Sequence, residues 1–488
     1  MAVEEPRVVA EPMTEPFLMT GEQYRASLQD GRRLIGPDGA EIADVLEYPP
    51  LARGAGTIAG LYDAQFDPAT REIATYVEPD SGKRVARGWK IPETKDDLRQ
   101  WRELIKLSTY HTLGMFGRPP DYGATIAFGF LSIRDKLEKK NPELIENIER
   151  FVASCRERNL ISAALIADVQ SDRSIPLAEK PGRLRCVEER PEGIVLYGAK
   201  PCASVAAQGH VATIGSLLLP GADPDAAIFC AVPMNANGLT LVLREPVTAE
   251  ASGENHPLNA RGEESDTMML FDHVLVPREQ VFSFRDEKAL GLYREACALA
   301  HWHILTRLWY RAEIFAGTAQ VIVEVLGTDQ IPQVRDALAQ VTAYAHTLKA
   351  FIVAAENEAE LWNGVCIPND PLVTAGRLHS LEHYPTVMQI LKDLSGQGMV
   401  SRFTAAQFDH PEIGARLEEF LPGTGVSARG KNRLFNFLWD LTCSSHAARV
   451  ALFENVNALP PSSIRAELFR SPERAEWAAF VRRYAGLD

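Results

Sequence analysis

GIVLYGAKPCASVAAQGHVATIGSLLL, residues 193–219, is the stretch on which the fold turns. Its apolar residues come in short strand-like runs broken by Gly, Pro and Ser rather than at the three-and-four spacing of a helix. The same texture continues through AAIFCAV (226–232), LTLVLRE (239–245) and TMMLFDHVLV (267–276), with turn clusters GADPD and NANG between them. Strands at this spacing with no helices between them predict an antiparallel sheet or barrel rather than a βαβ array.

On both sides the period lengthens. Upstream, Thr20 is placed to cap GEQYRASLQ, and PETKDDLRQWRELIKLST (92–109) sets Leu98, Trp101, Leu104 and Ile105 on one face. Residues 141–155 continue the helical period. Downstream, RDALAQVTAYAHTLKAFIVAAE (335–356) places Leu338, Val341, Ala345, Leu348, Ile352 and Ala355 as the stripe of a bundle helix, and further helices are predicted around 291–326 and 431–455. The expected organisation is a disordered, acidic and Pro-rich leader (1–18), an N-terminal helical domain (19–160), a central β domain (161–286) and a C-terminal helical bundle with a tail (287–488). The fold class is α+β, mostly α.

Length and composition agree with that order. The 488 residues allow about three domains. With 46% hydrophobic and 24% charged residues the chain reads as globular. Its 51 basic and 65 acidic residues leave a net charge of −14 and form no cationic block, which argues against nucleic acid as a partner. No run reaches the roughly 18 apolar residues of a membrane span, and the first residues lack a signal-peptide pattern. A cytoplasmic protein is expected. Seven scattered cysteines without a CxxC suggest neither a zinc site nor a disulfide framework.

Several motifs fail when read against their chemistry. GVSARGK (425–431) matches GxxxxGK, but Asn432 stands where a phosphate loop needs a hydroxyl, so a loop between bundle helices is expected. GxGxxG, HExxH and GxSxG are absent. In STYHTLGMFGRPPDYG (108–123), two prolines stiffen a turn that carries Arg118 and Tyr122, a guanidinium and a phenol able to hold an oxyanion or a phenolic oxygen. A surface turn with Tyr122 packed on the core fits the same spacing. Lys200, Ser204 and His210 form a second cluster and His301-Trp302-His303 a third; each is also compatible with ordinary packing.

In order along the chain, MTGEQYRASLQDGRRL (19–34), LYDAQFDP (61–68), MFGRPPDY (115–122), QSDRSIP (170–176), GIVLYGAK (193–200), FDHVLVPREQVF (271–282) and LWDLTCSSHAARVALFE (438–454) resemble the 4-hydroxyphenylacetate 3-hydroxylase family. The resemblance implies an acyl-CoA dehydrogenase-like fold with a C-terminal four-helix bundle, assembled as a homotetramer or homodimer. It implies the oxygenase component of a two-component monooxygenase, which takes FADH2 from a separate NAD(P)H:flavin reductase. With O2 it would hydroxylate an aromatic or heteroaromatic small molecule through a flavin C4a-hydroperoxide. Arg118 and Tyr122 would contact the substrate, and His303 and His210 would handle protons. Gln170, Ser171, Asp172, Arg173, Ser204, Ser444, Ser445 and His446 would contact FAD, and no metal is implied.

Two departures bear on the substrate. The histidine that hydroxylases of the family carry eight residues before the Asp of the QxDR stretch is Ala164 here, and CASVAAQGH (202–210) replaces a Thr-Gly-Ser-rich wall. The same fold serves 4-hydroxybutyryl-CoA dehydratase, whose iron–sulfur cluster needs thiolates. The equivalent positions are His111, Met115 and one near Tyr310, and no cysteine precedes Cys155. A cluster-free FAD-dependent lyase or isomerase, and a degenerate scaffold, are the alternative readings.

Overall fold

The computed structural model describes residues 15–137, 142–172, 174–216, 223–248, 251–286 and 292–487. Helix α1 (Gly21–Ser27) starts at Thr20, whose hydroxyl and the Gln23 side chain form a reciprocal capping box. Helices α2 (Pro49–Asp63), α3 (Lys95–His111), α4 (Tyr122–Ser132) and α5 (Pro142–Glu157) complete the N-terminal part. In α3 the predicted stripe of Leu98, Trp101, Leu104 and Ile105 is buried. Residues 1–14 of the expected leader lie outside the described residues. Its last four are part of the fold, because Leu18 is buried and Glu15 pairs with Arg71 at 2.5 Å.

The β region is two open sheets, not a barrel. One runs β1 (Leu34–Ile35), β7 (Leu239–Leu243), β8 (Asp266–Pro277), β4 (Gly193–Ser204), β3 (Arg185–Arg190). The other runs β9 (Val281–Phe284), β6 (Ile228–Pro233), β5 (Val211–Ile214), β2 (Ser162–Leu165). Most pairs are antiparallel as expected, but β1 pairs β7 and β2 pairs β5 in parallel, with Leu34 opposite Leu241 and Ser162 opposite Val211. Hydrophobic period identifies a strand without naming its partner. Between β2 and β5 the chain crosses to the other sheet and back through the β3–β4 hairpin, and that excursion lets β5 return in the same direction.

The long helices follow: α6 (Ala298–Leu326), α7 (Pro332–Asn357) and α8 (Asp370–Ser395). The α7 stripe is as expected, with Val341, Ala345, Leu348, Ile352 and Ala355 buried. The single helix expected at 431–455 is two, α9 (Ala428–Thr442) and α10 (Ser445–Asn457). The break is at Cys443-Ser444, where the Ser444 hydroxyl donates to the Asp440 carbonyl and accepts from Ala447 N–H, ending one helix and capping the next. The GxxxxGK stretch is the turn into α9: Gly425 has φ +74° and the Ser427 side chain caps Gly430 N–H. Short helices α11 (Pro461–Phe469) and α12 (Glu473–Ala485) form the tail. The arrangement of N-terminal helices, β sheets and C-terminal bundle is acyl-CoA dehydrogenase-like, as the resemblance implies.

Candidate active site

The GRPPDY turn is held from below by a buried carboxylate. Glu264 accepts from Gly117 N–H (2.8 Å), Arg118 N–H (2.7 Å) and Arg449 Nη1 (2.6 Å) while fully enclosed. A Cβ at Gly117 would lie 2.0 Å from the Phe453 ring, so a side chain there would displace Phe453. Tyr122 is the first residue of α4 rather than part of the turn. The α4 helix is wholly buried, and its Phe130 stacks on Phe229 of β6 with ring centroids 3.7 Å apart, so Tyr122 is set by the β domain as well.

The Arg118 guanidinium lies 3.9 Å over the Tyr122 ring and 5.6 Å from that of Phe453, and its Nη1 is buried without a hydrogen-bond partner. Burial pushes the Tyr122 phenol up and the Arg118 charge partly opposes it. Together with Ala164, Ile166, Cys202, His301 and Asn457 these side chains enclose a cavity of about 110 Å³. Ala164 is thus in the cavity wall, at the place from which the resemblance expects a histidine.

Of the two histidines on the first turns of α6, His301 lines the cavity and His303 does not. His303 Nε2 donates to Asp121 Oδ2 at 2.6 Å, and its ring meets Tyr122 edge to face at 5.3 Å. It packs against the phenol ring from outside the cavity. His210 is elsewhere. Its Nδ1 accepts from Ile161 N–H (2.9 Å), so the proton is on Nε2, which donates to Ser27 Oγ (2.8 Å). Burial and Arg32 lower its pKa to about 3. His210 therefore joins α1 to the β domain and does not line the cavity.

A larger groove of about 760 Å³ runs between β7, β8, the end of β4 and helix α10. Val242, Leu243, Met268 and Leu452 supply apolar wall, and Arg244, Asp266, Ser445 and Arg449 polar groups. Pro201, Cys202 and Phe453 line both groove and cavity, so one wall is common to the two. Burial pushes the Asp266 carboxyl up, but Arg449 (2.5 and 2.8 Å), Arg244 and the Ser204 hydroxyl (2.6 Å) outweigh it and hold it at about 2.

The expected cofactor residues divide. Ser445 lines the groove and Ser204 lies behind its Asp266. Ser444 is used as a helix cap. His446 is fully buried beneath, Nδ1 3.3 Å from Asn259 Oδ1, with its pKa lowered to about 3 by burial and the neighbouring Arg449, Arg244 and Arg311. Gln170, Ser171 and Asp172 lie beyond the cavity wall formed by Ile166 and Ala167 and line neither space; Gln170 is exposed and Asp172 accepts from Ser174. Asp168 ties this segment to β4 through Lys200 at 2.7 Å. Arg173 lies outside the described residues.

Family models for the N-terminal and C-terminal parts of 4-hydroxyphenylacetate 3-hydroxylase match residues 20–283 and 290–486. The chain belongs to the 4-hydroxyphenylacetate 3-hydroxylase family. It is 30% identical over 442 residues, 89% of this chain and 90% of the relative, to the 4-hydroxyphenylacetate 3-monooxygenase oxygenase component of Thermus thermophilus. It is 31% identical over 464 residues, 92% of this chain and 87% of the relative, to the oxygenase component of 4-nitrophenol 4-monooxygenase/4-nitrocatechol 2-monooxygenase of Rhodococcus opacus. Among solved structures, a 4-hydroxyphenylacetate 3-monooxygenase oxygenase component complexed with FAD superimposes with a TM-score of 0.90 at 28% identity, covering 96% of this chain and 99% of that one.

Within this family member, the sequence pattern does not single out Glu264, Asp266, Arg449, Phe453 or Asn457. The acidic run EESD (263–266) at the start of a strand is the one signal for the first two. The others lie in or just after LWDLTCSSHAARVALFE, where the small polar residues are the more conspicuous candidates.

Proposed function

We propose that the protein is the oxygenase component of a two-component, FAD-dependent monooxygenase and hydroxylates a small aromatic substrate with FADH2 and O2. The observation that carries this reading is the pairing of a small cavity bearing Arg118, Tyr122 and His301 with a long, partly apolar groove across the shared Pro201, Cys202 and Phe453 wall. The groove suits a flat ring system with a polar tail: its walls are largely apolar, Ser445 lines it beside Arg244 and Arg449, which are held by Glu263, Glu264 and Asp266, and Arg118 Nη1 is a buried donor in the adjoining cavity.

Bound FADH2 supplies the two electrons that activate O2, one oxygen atom passing to the substrate and the other leaving as water. The chain does the rest. Arg118 holds the substrate's phenolic oxygen by a charge-assisted hydrogen bond, Tyr122 shares that oxygen, and His301 takes the proton in place of the histidine absent at Ala164. Leu165, Ile166 and Ala300 keep the cavity apolar and dry around the reacting carbon.

The same reading includes a separate NAD(P)H:flavin reductase as partner and a homotetrameric or homodimeric assembly. Self-association is supported by α12, which leaves Trp477, Phe480, Val481 and Tyr484 at least 60% exposed. A cytoplasmic location is supported by seven cysteines, none of them in a disulfide. No described helix is long and apolar enough to cross a membrane.

Rapid mixing of the protein and photoreduced FAD with O2 in the presence of a phenol tests the reading. Hydroxylated phenol in proportion to flavin oxidised is the expected result. Oxidation as fast as that of free flavin, with all electrons recovered as H2O2 for every phenol tried, rejects it.

A further inference from the structure

Asn457, the last residue of α10, lines the cavity at 7% exposure, and neither its carboxamide oxygen nor its nitrogen has a hydrogen-bond partner in the protein. Buried polar groups in folded proteins are nearly always paired. A side chain with both ends unpaired, at the wall of a cavity that also presents the buried, unpaired Arg118 Nη1, points to a ligand that supplies the missing partners. The two come from different elements that meet at Phe453: Arg118, on the loop before α4, lies 5.6 Å from the Phe453 ring, and Asn457 follows Phe453 by one turn of α10. Both line the same cavity, so one ligand can meet both. At about 110 Å³, against about 150 Å³ for an engineered cavity that holds benzene, the cavity has room for no more than a single ring.

We propose that Asn457 is a specificity-determining residue: it selects single-ring phenols that carry, across the ring from the oxygen held by Arg118, a group able both to give and to take a hydrogen bond, a carboxamide or a neutral hydroxyl. The inference rests on the monooxygenase reading above. A nitro or carboxylate group offers only acceptors and sets oxygen against Asn457 Oδ1, while a halogen satisfies neither atom. Specificity of this kind comes from the polar groups a wrong ligand leaves unmade.

The test is calorimetric titration, under anaerobic conditions, of the chain loaded with reduced FAD, using 4-hydroxybenzamide and 4-chlorophenol. The wild-type protein is expected to bind the amide at least about tenfold more tightly, two neutral hydrogen bonds being the difference. Asn457→Leu should abolish or reverse that preference without lowering the thermal midpoint. If Asn457→Leu does not fold, Asn457→Asp keeps the shape, removes the N–H donors and should weaken the amide alone. No amide preference in the wild-type protein, or one unchanged in the variants, overturns the inference. Reaction of the same FADH2-loaded chain with O2 tests the monooxygenase reading separately, so a protein that hydroxylates a phenol yet shows no amide preference refutes only the role of Asn457.

Discussion

Arg118 makes its contacts as a flat ion: its guanidinium covers the Tyr122 ring and approaches Phe453 while its backbone N–H is fixed by Glu264. A lysine keeps the charge but neither stacks nor forks. Arg118→Lys should therefore lower kcat/KM by about 10–100-fold, with an unchanged melting temperature in steady-state and thermal scans. Glu264 is different, because removing it leaves Arg449 with Asp266 alone and the buried Gly117 and Arg118 N–H groups unpaired, which frees the turn. Glu264→Ala should cost about 3–5 kcal/mol in denaturant unfolding and abolish turnover. His446 gives a pH signature. Its folded pKa is about 3 against 6.5 for the free imidazole, so between those values the unfolded chain binds the extra proton. Stability is then complete above pH 6.5 and falls as the pH drops toward 3. The flavin-free protein should melt at lower temperature at about pH 5 than at about pH 7, and His446→Asn should reduce that slope, leaving the part due to His210, His111 and His379, whose burial lowers them in the same sense.

Among elements, α4 has the least room. A Cβ on its Gly129 would lie 1.6 Å from the Ala296 carbonyl oxygen, so the helix meets the backbone leading into α6 without an intervening side chain. Gly129→Ala should destabilise the protein by about 3 kcal/mol or more in urea unfolding and also depress activity, because Tyr122 moves with the helix. Elements of this kind show how far the amino-acid pattern can be read. The stripes of α3 and α7 are legible because each faces one core, and the strands of β4, β6, β7 and β8 because turn residues bound them. The parallel placement of β1 and β2 is not, since two and four residues carry no mark of a distant partner. In the cavity wall, Arg118 and Tyr122 are conspicuous in the sequence because two prolines stand between them, although Tyr122 belongs to α4. His301 and His303 differ by two positions on one helix, and only the packing of α6 against Asp121 decides which of them meets the cavity. Asn457 carries no sequence signal at all, because what marks it is the lack of a partner.

At the scale of the molecule, no described side chain of α12 is buried. Trp477, Phe480 and Tyr484 of α12 are exposed by 65%, 61% and 75%. If that face is the contact between copies in the proposed assembly, Trp477→Glu with Phe480→Glu should convert the oligomer to monomer in light scattering while leaving the far-ultraviolet circular dichroism unchanged.

The clamp of Arg449 on Glu264 and Asp266 has a further consequence for the whole molecule. It bolts helix α10 to strand β8 along one side of the groove, with both carboxylates largely shielded from water. Spreading the groove along that side would break charge-assisted contacts on both carboxylates at once, so α10 and β8 resist moving apart. The residence time of a flat guest should then depend on its own thickness and substitution more than on movement of that wall.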